Sequence, residues 1–198
     1  MDITWLGADT LLLRGRDAKV LIDPSGSDAA AAARAGADVV VGGAGFQNVL
    51  RPDSGPQVVA RPGEYELRGV SVRGVVVREG TAFVTEVDEV AVCSFGLLPA
   101  DISEEALEAL GVIDVLAVSL ERGTPARAVA VAELVSRIQP AVMVPTGYEP
   151  AAELATGELA GFAKEMGLAQ VSSQAKMTLT GSAGGTEDTR VVILEPRS

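Results

Sequence analysis

The order of strand-like and helix-like segments is the strongest constraint on how this chain folds. Short runs of Val, Leu and Ile, bounded by Gly, Pro and Asp turns, dominate the first half and predict strands. The predicted strands cover residues 3–6, 10–14, 19–22, 39–41, 57–61, 64–67, 70–77, 82–87 and 90–93. The first three form an antiparallel meander, and the group from 57 to 93 forms a second antiparallel section.

Helical spacing dominates only after residue 100, although an Ala-rich stretch at 27–35 predicts one short earlier helix. Ser103 is a predicted N-cap, and Thr124-Pro125 opens a second helix. That helix has its predicted apolar face at Ala128, Val129, Ala132, Val135 and Ile138. A strand at 113–118 precedes this helix, and another follows it and runs into Pro145-Thr146-Gly147-Tyr148.

A third helix is predicted at 158–166, and residues 176–180 and 190–194 are predicted to close the chain as a hairpin. Strands first and helices later favour two packed sheets flanked by helices, a four-layer αββα sandwich in the α/β (α+β) class. No linker or repeat divides the sequence, so a single domain is predicted over residues 1–198.

Residue counts exclude several functional classes. The chain has 198 residues with no histidine, one cysteine and a net charge of -11. Histidine-dependent catalysis and zinc or iron–sulfur sites built on His or Cys are therefore excluded. The acidic charge disfavours nucleic acid and anionic membranes as partners. A single cysteine and the absence of a signal-peptide pattern or long apolar run predict a cytoplasmic protein.

Several stretches together resemble the metallo-β-lactamase-fold hydrolases. They are Ile3-Thr4-Trp5-Leu6-Gly7, Val20-Leu21-Ile22-Asp23-Pro24, Ala37-Asp38-Val39-Val40, Pro62-Gly63-Glu64-Tyr65-Glu66 with Gly69-Val70, Leu110-Gly111, Asp114-Val115-Leu116 and Pro145-x-x-Tyr148. Pro62-Gly63-Glu64-Tyr65-Glu66 is the most specific of them and is similar to the UlaG-like, lactonase-type subgroup. The resemblance implies an αββα sandwich with a di-metal site at one edge.

The same resemblance implies that the metal ligands have been lost. The positions where the family carries ligands hold Ala8, Ala44, Phe46, Asn48, Val49, Leu97 and Gly147. Zinc needs nitrogen, sulfur or carboxylate donors at about 2.0–2.3 Å, and only Asn48 offers even a weak donor. Tyr148 keeps its family position and is expected to line what remains of the pocket. These eight positions form the predicted vestigial site, with no catalytic residue, metal ligand or cofactor assigned.

Other candidate sites compete with ordinary structural roles. Residues 42–45 could cradle a phosphate but lack the Lys-Ser/Thr of a P-loop. Glu64, Tyr65 and Glu66 could act as acid, base or ligand, but alternating charge on a strand favours a solvated face. The acids that could hold Mg²⁺ are Asp9, Asp23 and Asp38, for the last two of which a structural role is favoured. The candidate nucleophiles Ser94 and Ser119 lack an adjacent base, and Cys93 is expected in the core.

Three functions stay open from the sequence. The favoured one is a metal-free pseudoenzyme that binds a protein partner or assembles with itself, as a possible homo-oligomer. The second is a lactone or phosphodiester hydrolase that uses relocated carboxylates and a hard metal. The third is a structural self-assembling subunit, suggested by a mean hydropathy of +0.29 on an acidic chain.

Overall fold

The computed structural model of the chain describes residues 1–24, 36–42, 47–50, 52–78, 80–95, 101–120, 125–148, 158–168, 172–182 and 189–197. The strands are β1 (Asp2–Gly7), β2 (Thr10–Arg14), β3 (Lys19–Ile22), β4 (Val39–Val41), β5 (Gln57–Val59), β6 (Gly63–Leu67), β7 (Val70–Val77), β8 (Gly80–Val87), β9 (Val90–Ser94), β10 (Val115–Ser119), β11 (Val142–Thr146), β12 (Ser173–Gln174), β13 (Met177–Thr178), β14 (Arg190–Val191) and β15 (Ile193–Leu194). The helices are α1 (Glu104–Leu110), α2 (Pro125–Ile138) and α3 (Glu158–Glu165).

The strands form two main sheets. The first sheet has the order β13-β1-β2-β3-β4-β5, the second has β14-β11-β10-β9-β8-β7-β6, and β12 pairs with β15 in a small third sheet. In the first sheet, β2 is antiparallel to both β1 and β3. The pairs β3–β4 and β4–β5 are parallel. In the second, β6 to β9 are antiparallel and β9, β10, β11 and β14 are parallel. The predicted opening meander is confirmed.

One continuous aliphatic core joins the two main sheets. Alternate residues of the first sheet point to opposite faces: Leu11 and Leu13 join the main core, whereas Leu12 joins a second buried cluster with Leu21, Val40 and Val58. This two-sheet arrangement with few helices is the predicted mixed α/β architecture. The predicted helix at 27–35 lies outside the described residues.

Polar side chains fix element ends as the sequence indicated. The Ser103 hydroxyl accepts a hydrogen bond from the Ala106 amide at 3.2 Å and caps α1. At the other end of α1, the Arg73 guanidinium donates to the Leu110 carbonyl at 2.9 Å, which ties α1 to β7. Asp114 is buried before β10, and its carboxylate accepts hydrogen bonds from the Ala91 amide at 2.8 Å and the Ser182 hydroxyl at 2.7 Å.

Two predicted strand pairings were wrong. β5 was placed with the second antiparallel section, but it pairs in parallel with β4 in the first sheet. The closing hairpin does not form either: β13 pairs with β1 in the first sheet, and β14 pairs with β11 in the second. Side chains reinforce the pairing of β13 with β1, because the Asp2 carboxylate accepts hydrogen bonds from Lys176 at 2.8 Å and from Thr178 at 2.7 Å. These hydrogen bonds lower the pKa of Asp2.

The buried face of α2 also differs from the prediction. Ala128 and Val135 are buried as expected, but Val129 is 42% exposed. Val131 and Leu134, which the predicted face omitted, are buried at 0% and 5% exposure. α2 carries apolar residues around much of its surface, so its spacing fits more than one face. Packing against α3 and the main core selects the face. Among the described residues, no helix is both long and apolar enough to cross a membrane.

The two valines give a direct test of this packing. Val131→Ala is expected to lower the free energy of unfolding by about 2–3 kcal/mol, because it removes buried methyl groups and leaves a cavity. Val129→Ala, on the same helix, should change it by no more than about 0.5 kcal/mol. Urea unfolding of both variants measures the difference. Equal losses would contradict the assigned face.

Candidate functional site

Loops from both sheets gather at one edge of the sandwich. Because β1, β3, β4 and β5 run in the same direction, their carboxyl ends share one edge of the first sheet. The carboxyl ends of β9, β10 and β11 likewise share one edge of the second sheet. A hydrogen bond from the Gly147 amide to the Ala8 carbonyl, at 2.8 Å, joins the two edges. This shared edge is the candidate site.

The structure brings together the first and last positions of the predicted vestigial site. Ala8 lies in the left-handed region with φ 45°, and Gly147 follows β11 with φ 70°. The Ala8 carbonyl accepts a second hydrogen bond, from the Trp5 indole at 2.7 Å. Next to this contact, the Thr146 hydroxyl donates to an Asp9 carboxylate oxygen at 3.3 Å. Backbone groups and small side chains therefore lie at the two positions where the resemblance places metal ligands in the family.

Tyr148 belongs to the core. Its side chain is buried, and its hydroxyl donates to the Leu194 carbonyl at 2.7 Å. Its ring packs against Trp5 with centroids 4.6 Å apart and planes tilted by 32°. Both polar and apolar parts of Tyr148 thus have structural partners. That this side chain also lines a pocket stays a prediction.

The Asn48 side chain joins the segment after β5 to β6, a connection called here the Asn48 clip. Its side-chain oxygen accepts a hydrogen bond from the Ala60 amide at 2.7 Å, and its side-chain nitrogen donates to the Tyr65 hydroxyl at 3.0 Å. That hydroxyl also lies 3.2 Å from the carbonyl oxygens of Arg61 and Pro62. The neighbouring Val49 forms an isolated bridge with Val58 and is 42% exposed. Ala44, Phe46 and Leu97, the remaining predicted positions, lie outside the described residues.

Comparison with known proteins identifies the family of this chain. A family model described as Beta-lactamase superfamily domain matches residues 2–147. This chain belongs to that superfamily. A comparison with curated proteins returned no match.

Several solved structures share the fold. A proposed zinc-dependent hydrolase of the metallo-β-lactamase superfamily from Thermotoga maritima is 24% identical, with a TM-score of 0.71 over 98% of each chain. The metallo-β-lactamase-fold protein YhfI from Bacillus subtilis is 9% identical, with a TM-score of 0.59 over 98% of this chain and 95% of that one. An isothiocyanate hydrolase from Delia radicum gut bacteria is 13% identical, with a TM-score of 0.56 over 92% and 100%. At these identities the likeness establishes the fold.

The described residues at the predicted ligand positions do not fit the metal that the metallo-β-lactamase fold implies. Ala8 and Gly147 have no donor side chain, Val49 is apolar, and both polar atoms of Asn48 are bonded to protein groups. Within the described parts of the chain, no three or more Asp, Glu or Cys side chains group as a metal site would require.

The three candidate magnesium ligands are divided between opposite edges. Asp9 follows β1 and Asp23 follows β3, so both lie at the candidate-site edge. Asp38 precedes β4 and lies at the other edge, where its carboxylate accepts the Lys19 amide at 2.9 Å. The structural role expected for Asp38 is therefore confirmed by its contacts. The Asp23 carboxylate packs closely against Gly42, where any side chain would collide with it.

The described contacts bear on Ser94 and Gly42, whereas a nucleophilic role for Ser119 stays a prediction. Ser94 is buried, and in the described structure its hydroxyl has no hydrogen-bond partner, hence no base beside it. The lysines lie elsewhere: Lys176 pairs with Asp2, and Lys19 begins β3 at the opposite edge. The Gly42 amide donates to the Val59 carbonyl at 2.9 Å, so it is used within the sheet; residues 43–46 lie outside the described residues.

An acidic cleft at the opposite edge was missed by sequence reasoning. It has a volume of about 310 Å³, and its lining includes Asp17, Glu66, Glu86, Asp88 and Glu89. Asp88 accepts the Arg16 amide at 3.1 Å and lies 3.5 Å from the N-terminal amine. The acids come from separate turns and strands, so no local sequence motif predicts the cleft. Glu64 and Glu66 are exposed on β6, as a solvated strand face predicts.

The Asn48 clip can be tested by substitution. Asn48→Ala is expected to lower the free energy of unfolding by about 1–3 kcal/mol, because the Ala60 amide and Tyr65 hydroxyl lose their partner. Tyr65→Phe should cost less, since the Ala60 contact remains. Gln47→Ala, at the exposed neighbouring residue, is the control and should be near neutral. Denaturant unfolding measures all three, and a loss for Asn48→Ala no larger than for Gln47→Ala would contradict the clip.

Cys93 gives a second test. Burial raises the pKa of its thiol well above the usual range, and the negative charge of Asp23 adds to the rise. Since the thiolate is the reactive form, the native protein should not react with a disulfide reagent at mildly alkaline pH, and the unfolded protein should react completely. Absorbance of the released thiol follows the reaction. Rapid labelling of the native protein would show that β9 is accessible.

Proposed function

We propose that this chain is a metal-free, non-catalytic metallo-β-lactamase-fold protein, a pseudoenzyme that serves as a binding or assembly domain. One observation carries the proposal: the first and last ligand positions are Ala8 and Gly147, and their backbone groups bond directly to each other at 2.8 Å. A metal ion at this edge would need donor side chains, and the chain has no histidine to supply them.

The subgroup and domain organisation belong to the same proposal. Residues 62–66 support a UlaG-like, lactonase-type origin, and Tyr65 in this stretch holds the Asn48 clip. A continuous core supports one domain over residues 1–198. The net charge of -11 supports a protein partner or a second copy, not nucleic acid or an anionic membrane. A cytoplasmic location stays a prediction from the single cysteine.

Metal content is the first test. The protein is purified with a histidine-free affinity peptide that is then removed, without chelator, and its metals are measured by mass spectrometry. Zinc, manganese and iron are each expected far below one equivalent per chain. Stoichiometric metal that survives dialysis would contradict the proposal, and a chelator-treated aliquot provides the baseline.

A hydrolase with relocated carboxylates is the second candidate, favoured by the shared edge position of Asp9 and Asp23. It predicts lactone or phosphodiester hydrolysis that appears on adding Mg²⁺ or Mn²⁺ and is lost in Asp9→Asn and Asp23→Asn. Asp53→Asn, at an exposed position, is the matched control. Activity that all three variants retain would come from a contaminant.

Self-assembly is the third candidate. Val76 and Val112 are each 67% exposed, and exposed apolar side chains promote association where they are contiguous. Light scattering across a wide concentration range decides this point. A constant monomer mass would contradict self-assembly and leave binding of a different protein as the proposed role.

A further inference from the structure

We infer that direct protein contacts, and not a metal ion, hold the two main sheets together at the candidate-site edge. We call these contacts the edge latch, formed by Trp5, Ala8, Asp9, Thr146, Gly147 and Tyr148. The inference rests on the proposed function in one respect, since it assigns to protein groups a cross-link that a metal ion would otherwise supply.

The polar part of the edge latch joins Thr146 of the second sheet to Asp9 of the first. The Thr146 hydroxyl donates to the Asp9 carboxylate at 3.3 Å, and Thr146 is only 3% exposed. A hydrogen bond to a charged acceptor is stronger than one between neutral groups. Its partial shielding from water strengthens it further.

The backbone part depends on the conformation of Ala8. An L-residue with positive φ is strained, but at φ 45° the Ala8 carbonyl accepts both the Gly147 amide at 2.8 Å and the Trp5 indole at 2.7 Å. These hydrogen bonds offset the strain and fix the β1–β2 turn against the end of β11. The resemblance places ligand side chains at both Ala8 and Gly147, so the latch lies where a metal would bridge the sheets.

The aromatic part extends the same connection into the core. Trp5 on β1 and Tyr148 after β11 pack with ring centroids 4.6 Å apart. The Tyr148 hydroxyl donates to the Leu194 carbonyl, and the Trp5 carbonyl accepts the Arg197 amide at 2.8 Å. The C-terminal segment therefore anchors both members of the aromatic pair. Polar, backbone and aromatic contacts thus all connect the same two elements.

A double-mutant cycle tests the latch, with Asp9→Ala, Thr146→Val and the double variant melted in a chelator and again with added zinc or manganese. Thr146→Val is expected to lower the melting temperature by about 3–6 °C. The double variant should lose clearly less than the sum of the single losses. Thr85→Val is the matched control: Thr85 is 1% exposed, and its hydroxyl has no partner in the described structure. Its melting temperature should stay unchanged or rise.

Hydrogen exchange provides a local readout if a variant is too unstable to melt cleanly. Thr146→Val should speed exchange in peptides covering both residues 4–10 and 142–148, whereas Thr85→Val should not. Additive losses in the cycle, or equal effects of Thr146→Val and Thr85→Val, would overturn the inference. So would a melting temperature that falls with chelator and recovers with metal. Because the cycle is run in chelator, bound metal in the purified protein would refute the proposed function and leave the cycle interpretable.

Discussion

Apolar side chains from the two main sheets meet in one continuous core, and the positions of the other elements follow from it. This core is built almost entirely from Val, Leu, Ile and Ala, since aromatic residues make up only 4% of the chain. Aliphatic side chains lack polar atoms that would fix their orientation, so burial and close packing do most of the stabilising. Buried Asp114 marks one place where the backbone needs a partner, since its carboxylate accepts the Ala91 amide.

The candidate edge is positioned by the strands of the two main sheets. Strand direction still delivers the β1–β2 turn and the end of β11 to one place, because that geometry depends on the sheets and not on the ligands. The groups brought together there form hydrogen bonds: the Gly147 amide donates to the Ala8 carbonyl, and the Thr146 hydroxyl donates to the Asp9 carboxylate. Likewise, both polar atoms of the Asn48 side chain are hydrogen-bonded, to the Ala60 amide and the Tyr65 hydroxyl. At this edge, Asn48, Thr146 and Gly147 thus all take part in contacts within the protein.

Local features of the fold were predictable because their causes are local. The bounds of β7 match the predicted strand, since turn residues flank an apolar run, and Ser103 caps α1 as its hydroxyl chemistry indicates. The partner of β5, the separation of β13 from β14 and the exposure of Val129 were not predictable in this way. Each depends on which distant segment lies beside it. Alternation and helical spacing define faces but do not say what covers them.

The sequence by itself determined which chemistry is available to this protein. A chain without histidine and with one cysteine cannot rebuild the ligand set that its fold implies, whatever shape it takes. Only the tertiary structure decided that Ala8 and Gly147, which are far apart in the sequence, bond to each other and that Asp38 lies away from Asp9 and Asp23. The physical reason is that backbone amides and carbonyls are alike in every residue. Which of them meet is set by the packing of the two sheets.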